Sequence, residues 1–351
     1  MTKHRVFWPL VVLAVLLVGN LAFTPDFFSI QMKHGHLYGS LIDILRFGAP
    51  LMLVSLGMTL VIATGGIDLS VGSVVAISGA LACLHISKAD DQNSIAAVVV
   101  AVALGLGAAA ALGAWNGLLV AGGGIQPIIA TLILMVAGRG IAQLITGGQI
   151  ITINSSPYKV IGAGYRLTLP FSILIVVVVV AVTAFLTRKT ALGLLLESVG
   201  GNPEASRLVG IRARGLIAMA YIFAGLCAGI AGLMISSNVS AADGNNAGLW
   251  IELDAILAVV IGGTSLTGGR FSLAGTVVGA LIIQTLTTTI LTIGIPPETT
   301  RVFKAVVVTI VCLIQSPAFR ARVFRRRRPH QAAPGPTRPD PASHEPAEVT
   351  A

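Results

Sequence analysis

The sequence predicts an all-α integral membrane protein, and three observations carry that reading. Only 11% of the 351 residues are charged and 55% are hydrophobic, against roughly 25% charged in a soluble domain. Long apolar stretches recur along the chain. Basic residues gather in segments that share one side of a membrane if those stretches cross it.

A helix needs about 20 residues at 1.5 Å each to cross a ~30 Å hydrocarbon core. Ten segments approach that length: 7–23, 47–64, 71–86, 95–112, 125–145, 169–186, 216–235, 253–266, 271–293 and 302–314. The eighth and tenth are short and read as full, re-entrant or interfacial segments. If both fail to cross, eight crossings remain and the two termini still share one side. The first segment follows Lys3, His4 and Arg5 like a signal peptide. It is followed by Thr24-Pro25-Asp26 rather than a small-residue cleavage site, so it is expected to be a retained span.

With the N-terminus inside, the inside segments hold Lys3, Arg5, Arg188, Lys189, Arg207, Arg212, Arg214, Arg270, Arg320, Arg322, Arg325 to Arg328 and Arg338. The outside segments hold Lys33, Lys88, Lys159, Arg166, Arg301 and Lys304, so 15 basic residues lie inside and six outside. Both termini are therefore expected in the cytoplasm. The net charge of +9 owes much to the cluster from Arg320 to Arg328, which suits anionic lipid rather than nucleic acid. From Pro329 the chain is poor in large apolar residues and is expected to be a disordered cytoplasmic tail. The expected organisation is 1–40 for the N-terminal end, first span and outside loop, 41–315 for the transmembrane domain, and 316–351 for the basic segment and tail.

Cys83, Cys227 and Cys312 lie in separate apolar stretches, without metal or redox spacing. His34 and His36 alternate in a loop that reads as plain loop rather than metal site. No metal or cofactor is expected. There is no G-x-x-x-x-G-K-[ST] run, no nucleophile elbow and no HExxH, so the chain is not expected to be an enzyme or to bind ATP through a P-loop.

Four places carry candidate function. The inside loop after the sixth span contains Gly200-Gly201-Asn202-Pro203-Glu204-Ala205-Ser206-Arg207-Leu208-Val209-Gly210. Gly200-Gly201 ends one segment, Asn202 is an N-cap, Pro203 suits the first helical position and Glu204 complements the helix dipole. Gly210 stops a helix of about seven residues, with Ala205, Leu208 and Val209 available for packing. Such a helix either docks into another protein or rests on the lipid surface. The second place is Thr64-Gly65-Gly66-Ile67-Asp68-Leu69-Ser70, a break between apolar stretches. Asp68 there is either an intramembrane functional carboxylate or a cap at an interfacial turn.

The third place is Arg139, inside the fifth span, which either lines a pathway with Ser70, Asn116, Gln126 and Thr131 or snorkels outward. The fourth is the polar outside loop 236–248 with Asn246, followed by Glu252 and Asp254, an outer gate or partner contact or else a solvated pair. A faint echo links residues 65–72 to 262–269. Both copies fall on the same side, which an inverted repeat would not give.

The strings GGIDLSVGS, Asn116-Gly117, QPIIATLILMVAGRG, ALGLLLESVGGNPEASRLVGI and ELDAILAVVIGGTSLTGGRFS occur in the order of the ribose/xylose/arabinose-type sugar ABC permeases. The chain resembles that family from about Leu41 to Gln315. NNAGLWIELDAILAVVIGG and TGGQIIT look most like its galactofuranose importer permeases.

The resemblance implies a type II ABC importer-like fold in a bacterial cell membrane. It implies a second permease subunit, identical or different, and a separate ABC ATPase on the loop holding Gly200, Gly201, Asn202, Pro203, Glu204, Ala205 and Arg207. It also implies an extracytoplasmic sugar-binding protein. The competing reading is a secondary transporter of a small polar solute, with Asp68 or Arg139 as coupling site; a membrane-embedded enzyme lacks a catalytic constellation.

Overall fold

The computed structural model describes residues 3–22, 26–33 and 35–294, and beyond them residues 299, 302–306, 309 and 313. His34, Cys312, part of the tenth expected span, the arginine cluster and the tail lie outside the described residues.

The described chain is mostly helical. Its elements run α1 (Lys3–Asn20), the hairpin β1 (Gln31–Lys33) and β2 (His36–Tyr38), α2 (Ser40–Ala63), α3 (Val71–Ser87), α4 (Ile95–Gly117), α5 (Pro127–Thr146), β3 (Ile150–Thr152), α6 (Ser156–Ala163), and the short hairpin β4 (Tyr165–Arg166) and β5 (Leu169–Pro170). They continue through α7 (Phe171–Lys189), α8 (Leu192–Gly201), α9 (Pro203–Leu208), α10 (Ala213–Val239), β6 (Ala241–Asp243), α11 (Ile251–Ile261) and α12 (Leu273–Thr292). A π-helical turn, Leu118–Gly122, extends α4. Among the described residues six helices are long and apolar enough to cross a membrane: α2, α4 with its extension, α5, α7, α10 and α12. α3 and the Val6–Asn20 part of α1 are shorter apolar helices.

α2 and α10 form the centre. In α2 every residue from Gly48 to Ala63 except Pro50 is buried. α10 runs antiparallel to α2 and to α4, and small residues let the backbones close up. A Cβ at Gly57 of α2 would stand 2.7 Å from the Ala224 Cα of α10, and one at Gly113 of α4 would stand 2.9 Å from Ile222 Cα. Apolar helix surface gains little by leaving lipid, so close backbone packing of this kind holds helices together in a bilayer. It also explains much of the high glycine content.

Several boundaries differ from the sequence expectation, and two of the differences bear on the site. α2 begins at Ser40, seven residues before the expected 47, because Arg46 is satisfied inside the fold. Its guanidinium donates to Asn238 Oδ1 of α10 at 2.6 Å and to the Gly162 carbonyl at 3.4 Å, and packs on the Phe47 ring. α11, the eighth expected segment, has only 11 residues, or about 17 Å of helix, roughly half a crossing.

The echoed loops meet in space. α2 and α11 end with the same pair of bonds: Gly65 and Gly66 donate to Ile62 and Val61, and Gly263 and Thr264 donate to Val260 and Val259. Gly65 and Gly263 sit at φ 84° and 85°, the left-handed stop that glycine allows. The Gly269 N–H then donates to the Ala63 carbonyl at 2.9 Å.

Candidate functional site

The loop between α7 and α10 folds as two short helices. Asn202 caps α9, its Oδ1 accepting the Ala205 N–H at 3.0 Å, with Pro203 and Glu204 in the first turn. Gly210, at φ 85°, ends it, and the Gly210 and Ile211 N–H groups donate to Arg207 and Ser206. Ser206 turns inward at 5% exposure, whereas Leu208 and Val209, read from sequence as available for packing, are 85% and 76% exposed. Ala205, Glu204 and Arg207 are exposed too. A capped helix holding two large apolar side chains in the open is a knob without its socket.

At the α2–α3 break the polar side chains are sealed within the chain. Asp68 is 1% exposed. Its Oδ1 accepts the Ser70 N–H at 2.9 Å, the Ser70 hydroxyl at 2.6 Å and the Asn116 amide at 3.5 Å, while Asn116 also donates to Ser70 Oγ at 2.8 Å. Thr131 of α5 shares its hydroxyl proton between the Pro127 carbonyl at 2.9 Å and Ile67 at 3.3 Å. These four residues thus tie the break to α4 and α5. Gln126 is different: it stands exposed at the N-terminus of α5 and makes no capping bond.

Arg139 neither points to the surface nor meets a carboxylate directly. Its Nη1 donates to the Ala247 carbonyl at 2.7 Å and to the Gly244 carbonyl at 3.4 Å, with Asp243 and Glu252 within electrostatic reach. It therefore holds the segment that follows α10. That segment pairs β6 with β3, Asp243 opposite Ile150. It then tightens around Asp243, whose Oδ1 accepts the N–H groups of Asn245 at 2.8 Å and Asn246 at 3.1 Å. The Asn246 amide reaches Asp243 Oδ2 at 2.8 Å. Partial burial works against ionisation of Asp243, but these bonds and the Arg139 charge outweigh it and hold the carboxyl below its ordinary value.

Past Trp250, at φ 68°, the chain turns back between the helices and α11 begins. Glu252 in its first turn is 2% exposed and abuts Gly72 of α3, so tightly that a Cβ on Gly72 would overlap Glu252. Asp254 instead pairs with Lys304 at 2.8 Å. The two acids therefore do not form a solvated pair. A cavity of about 380 Å³ opens beside this segment, lined by residues including Ala76, Gly79, Ser236, Asp243, Asn246 and Ala247. Asp243 was not singled out from sequence; the signal was the Asp-Gly-Asn-Asn run, a carboxylate followed by N–H groups at turn spacing.

His36 stacks on Tyr165 with ring centroids 4.5 Å apart. Among the described residues no group of three or more His, Cys, Asp or Glu side chains stands together as a metal site would require.

These features define a multi-pass membrane protein with a structured loop between two of its long apolar helices. Residues 40–312 match the family described as the branched-chain amino acid transport system/permease component, and the chain belongs to that family. The galactofuranose transporter permease protein of Escherichia coli K12 is 51% identical over 90% of this chain and 93% of its own length. The fructose import permease protein of Bifidobacterium longum is 42% identical over 88% and 87%, and the ribose import permease protein of E. coli K12 is 36% identical over 88% and 92%. No solved structure matches the chain. As a permease component the chain is a transport subunit and not an enzyme.

Proposed function

We propose that this chain is the membrane-spanning permease subunit of a binding-protein-dependent ABC importer. Its substrate is a monosaccharide, galactofuranose or a related pentose or hexose, carried into the cytoplasm. The observation that carries the reading is the 51% identity to a galactofuranose permease over nearly the whole chain; the fructose and ribose permeases support a sugar of this size. Residues 41–315 form the permease domain, with a type II importer-like arrangement of about ten segments. A second permease, the same chain or a different one, completes the pathway.

An ATPase docks on α8–α9, the loop that holds Gly200, Gly201, Asn202, Pro203, Glu204, Ala205 and Arg207, with the exposed Leu208 and Val209 as its apolar contact. A loaded binding protein meets the opposite face, where Asn246 and the β3–β6 pair stand, and Asp254 and Glu252 set the short helix α11 beneath it. Gln126 faces the pathway. Asp68, Ser70, Asn116, Thr131 and Arg139 hold the helices that line it.

Vesicles containing this permease, its partner permease and the ATPase, supplied with loaded binding protein, test the reading. Labelled galactofuranose, ribose and fructose should compete for uptake only when ATP is supplied on the ATPase side. Uptake driven by an ion gradient without ATP would replace this proposal with the secondary-transporter reading.

Both termini are placed in the cytoplasm. A single cysteine at Leu208, exposed on α9, should then need a membrane-permeant reagent for labelling in whole cells, while one at the exposed Asp90 should not. Labelling of Leu208→Cys by an impermeant reagent would invert the topology.

A further inference from the structure

The Ala63 carbonyl, at the end of α2, is a meeting point of three chain segments. The Gly269 N–H donates to it at 2.9 Å. Gly200, near the end of α8, lies so close that a Cβ there would overlap the same oxygen. Gly268, at φ 87°, completes the contact: a Cβ on it would stand 2.7 Å from the Gly200 carbonyl oxygen and 3.0 Å from Gly65 Cα. No side chain intervenes among these backbones. A contact between side chains has rotamers that absorb a small displacement; a contact between peptide planes has none, and a close-packed interior transmits strain.

What lies beyond each side of the contact gives it meaning. On one side α2 ends in the break that Asp68, Asn116 and Thr131 fasten to α4 and α5. On the other side the loop 262–272 joins α11 to α12. These two helices are packed backbone to backbone, since a Cβ at Gly275 or Gly279 would overlap the Gly262 or Ala258 carbonyl. The hairpin is therefore a stiff unit, and its far end is the first turn of α11, where Glu252 abuts Gly72.

We infer that Gly200, Gly268 and Gly269 around the Ala63 carbonyl form the joint through which a displacement of α8–α9 reaches both the α2–α3 break and the α11–α12 hairpin. Gly200 is thus a positioning residue for the transport step. The inference rests on the proposal that α8–α9 receives the ATPase. It adds a claim that docking alone does not make: the hairpin carrying Glu252 is driven directly from the cytoplasmic loop, not only through α10.

The test compares Gly200→Ala with Gly215→Ala in the assembled transporter. Alanine is the better helix former at both positions, but Gly215 is exposed in α10 with nothing around it. Gly200→Ala should leave ATPase pull-down intact, lower uptake about tenfold or more, the size of a typical coupling between sites, and remove the rise in ATP turnover on adding loaded binding protein. Gly215→Ala should match wild type. If Gly200→Ala does not reach the membrane, a double-cysteine variant tests the joint instead. The Cβ position of Gly269 lies 4.0 Å from Gly201 Cα, so Gly201→Cys with Gly269→Cys is within disulfide range. The two sides of the joint move together, so oxidation should leave uptake intact.

Wild-type uptake in Gly200→Ala, or uptake that oxidation of the pair stops and reduction restores, would overturn the joint. Loss of ATPase pull-down in Gly200→Ala would overturn it too, by placing Gly200 in the docking surface. The docking proposal is tested separately, at Leu208.

Discussion

Leu208→Asp is expected to weaken ATPase binding by about tenfold to a hundredfold and to lower uptake with it, while the permease still reaches the membrane. Leu208 and Val209 are 85% and 76% exposed on a six-residue helix. Burying one leucine side chain is worth about 1.5–3 kcal/mol, and each 1.4 kcal/mol is about tenfold in affinity. The side chain supports little of this chain's own packing, so its loss costs the fold little. Glu204→Lys and Arg207→Glu, on the same exposed surface, should weaken docking without touching the Asn202 cap. Pull-down of the ATPase and ATP turnover in vesicles measure all three. Wild-type docking throughout would leave α9 as a helix lying on lipid.

Arg139→Ala is expected to stop uptake without affecting ATPase docking. The guanidinium is the donor for the Ala247 and Gly244 carbonyls, and leaving a buried acceptor unpaired costs about 1–3 kcal/mol. The segment that follows α10 would then come loose from α5. Asn246→Cys, introduced as a reporter, should label faster in the Arg139→Ala background. Arg139→Lys should recover part of the uptake, since an ammonium reaches one carbonyl but lacks the planar fork. Normal uptake with unchanged Asn246→Cys labelling in Arg139→Ala would show that the clamp is dispensable.

How far the sequence reached depends on how local the physics is. The Asn202 cap, Pro203 and the Gly210 stop act within ten residues, and α9 forms where they put it. Leu208 and Val209 were expected only to be available for packing, because nothing local tells an apolar residue whether its partner belongs to its own chain. α2 starts seven residues before the expected 47, and the partner that Arg46 finds there, Asn238, is 192 positions away. Glu252 and Asp254 look alike in sequence. Only the return of the chain after Trp250 sends one against Gly72 and the other to Lys304. Arg139 was legible as important and not as a backbone clamp, because carbonyls carry no sequence signature.

The length of α10 has a consequence for the lipid. Its 27 residues make about 40 Å of helix, roughly 10 Å more than a ~30 Å hydrocarbon core. Close packing on α2 and α4 limits how far it can tilt to hide the excess. The surplus therefore emerges, and with it the level at which α9 stands above the headgroups. Bilayer thickness becomes a setting of the machine: longer acyl chains draw α9 toward the headgroups, shorter ones lift it clear. ATP turnover stimulated by loaded binding protein should fall as vesicles are made from longer-chain lipids, and an activity indifferent to chain length would mean that tilt absorbs the hydrophobic mismatch.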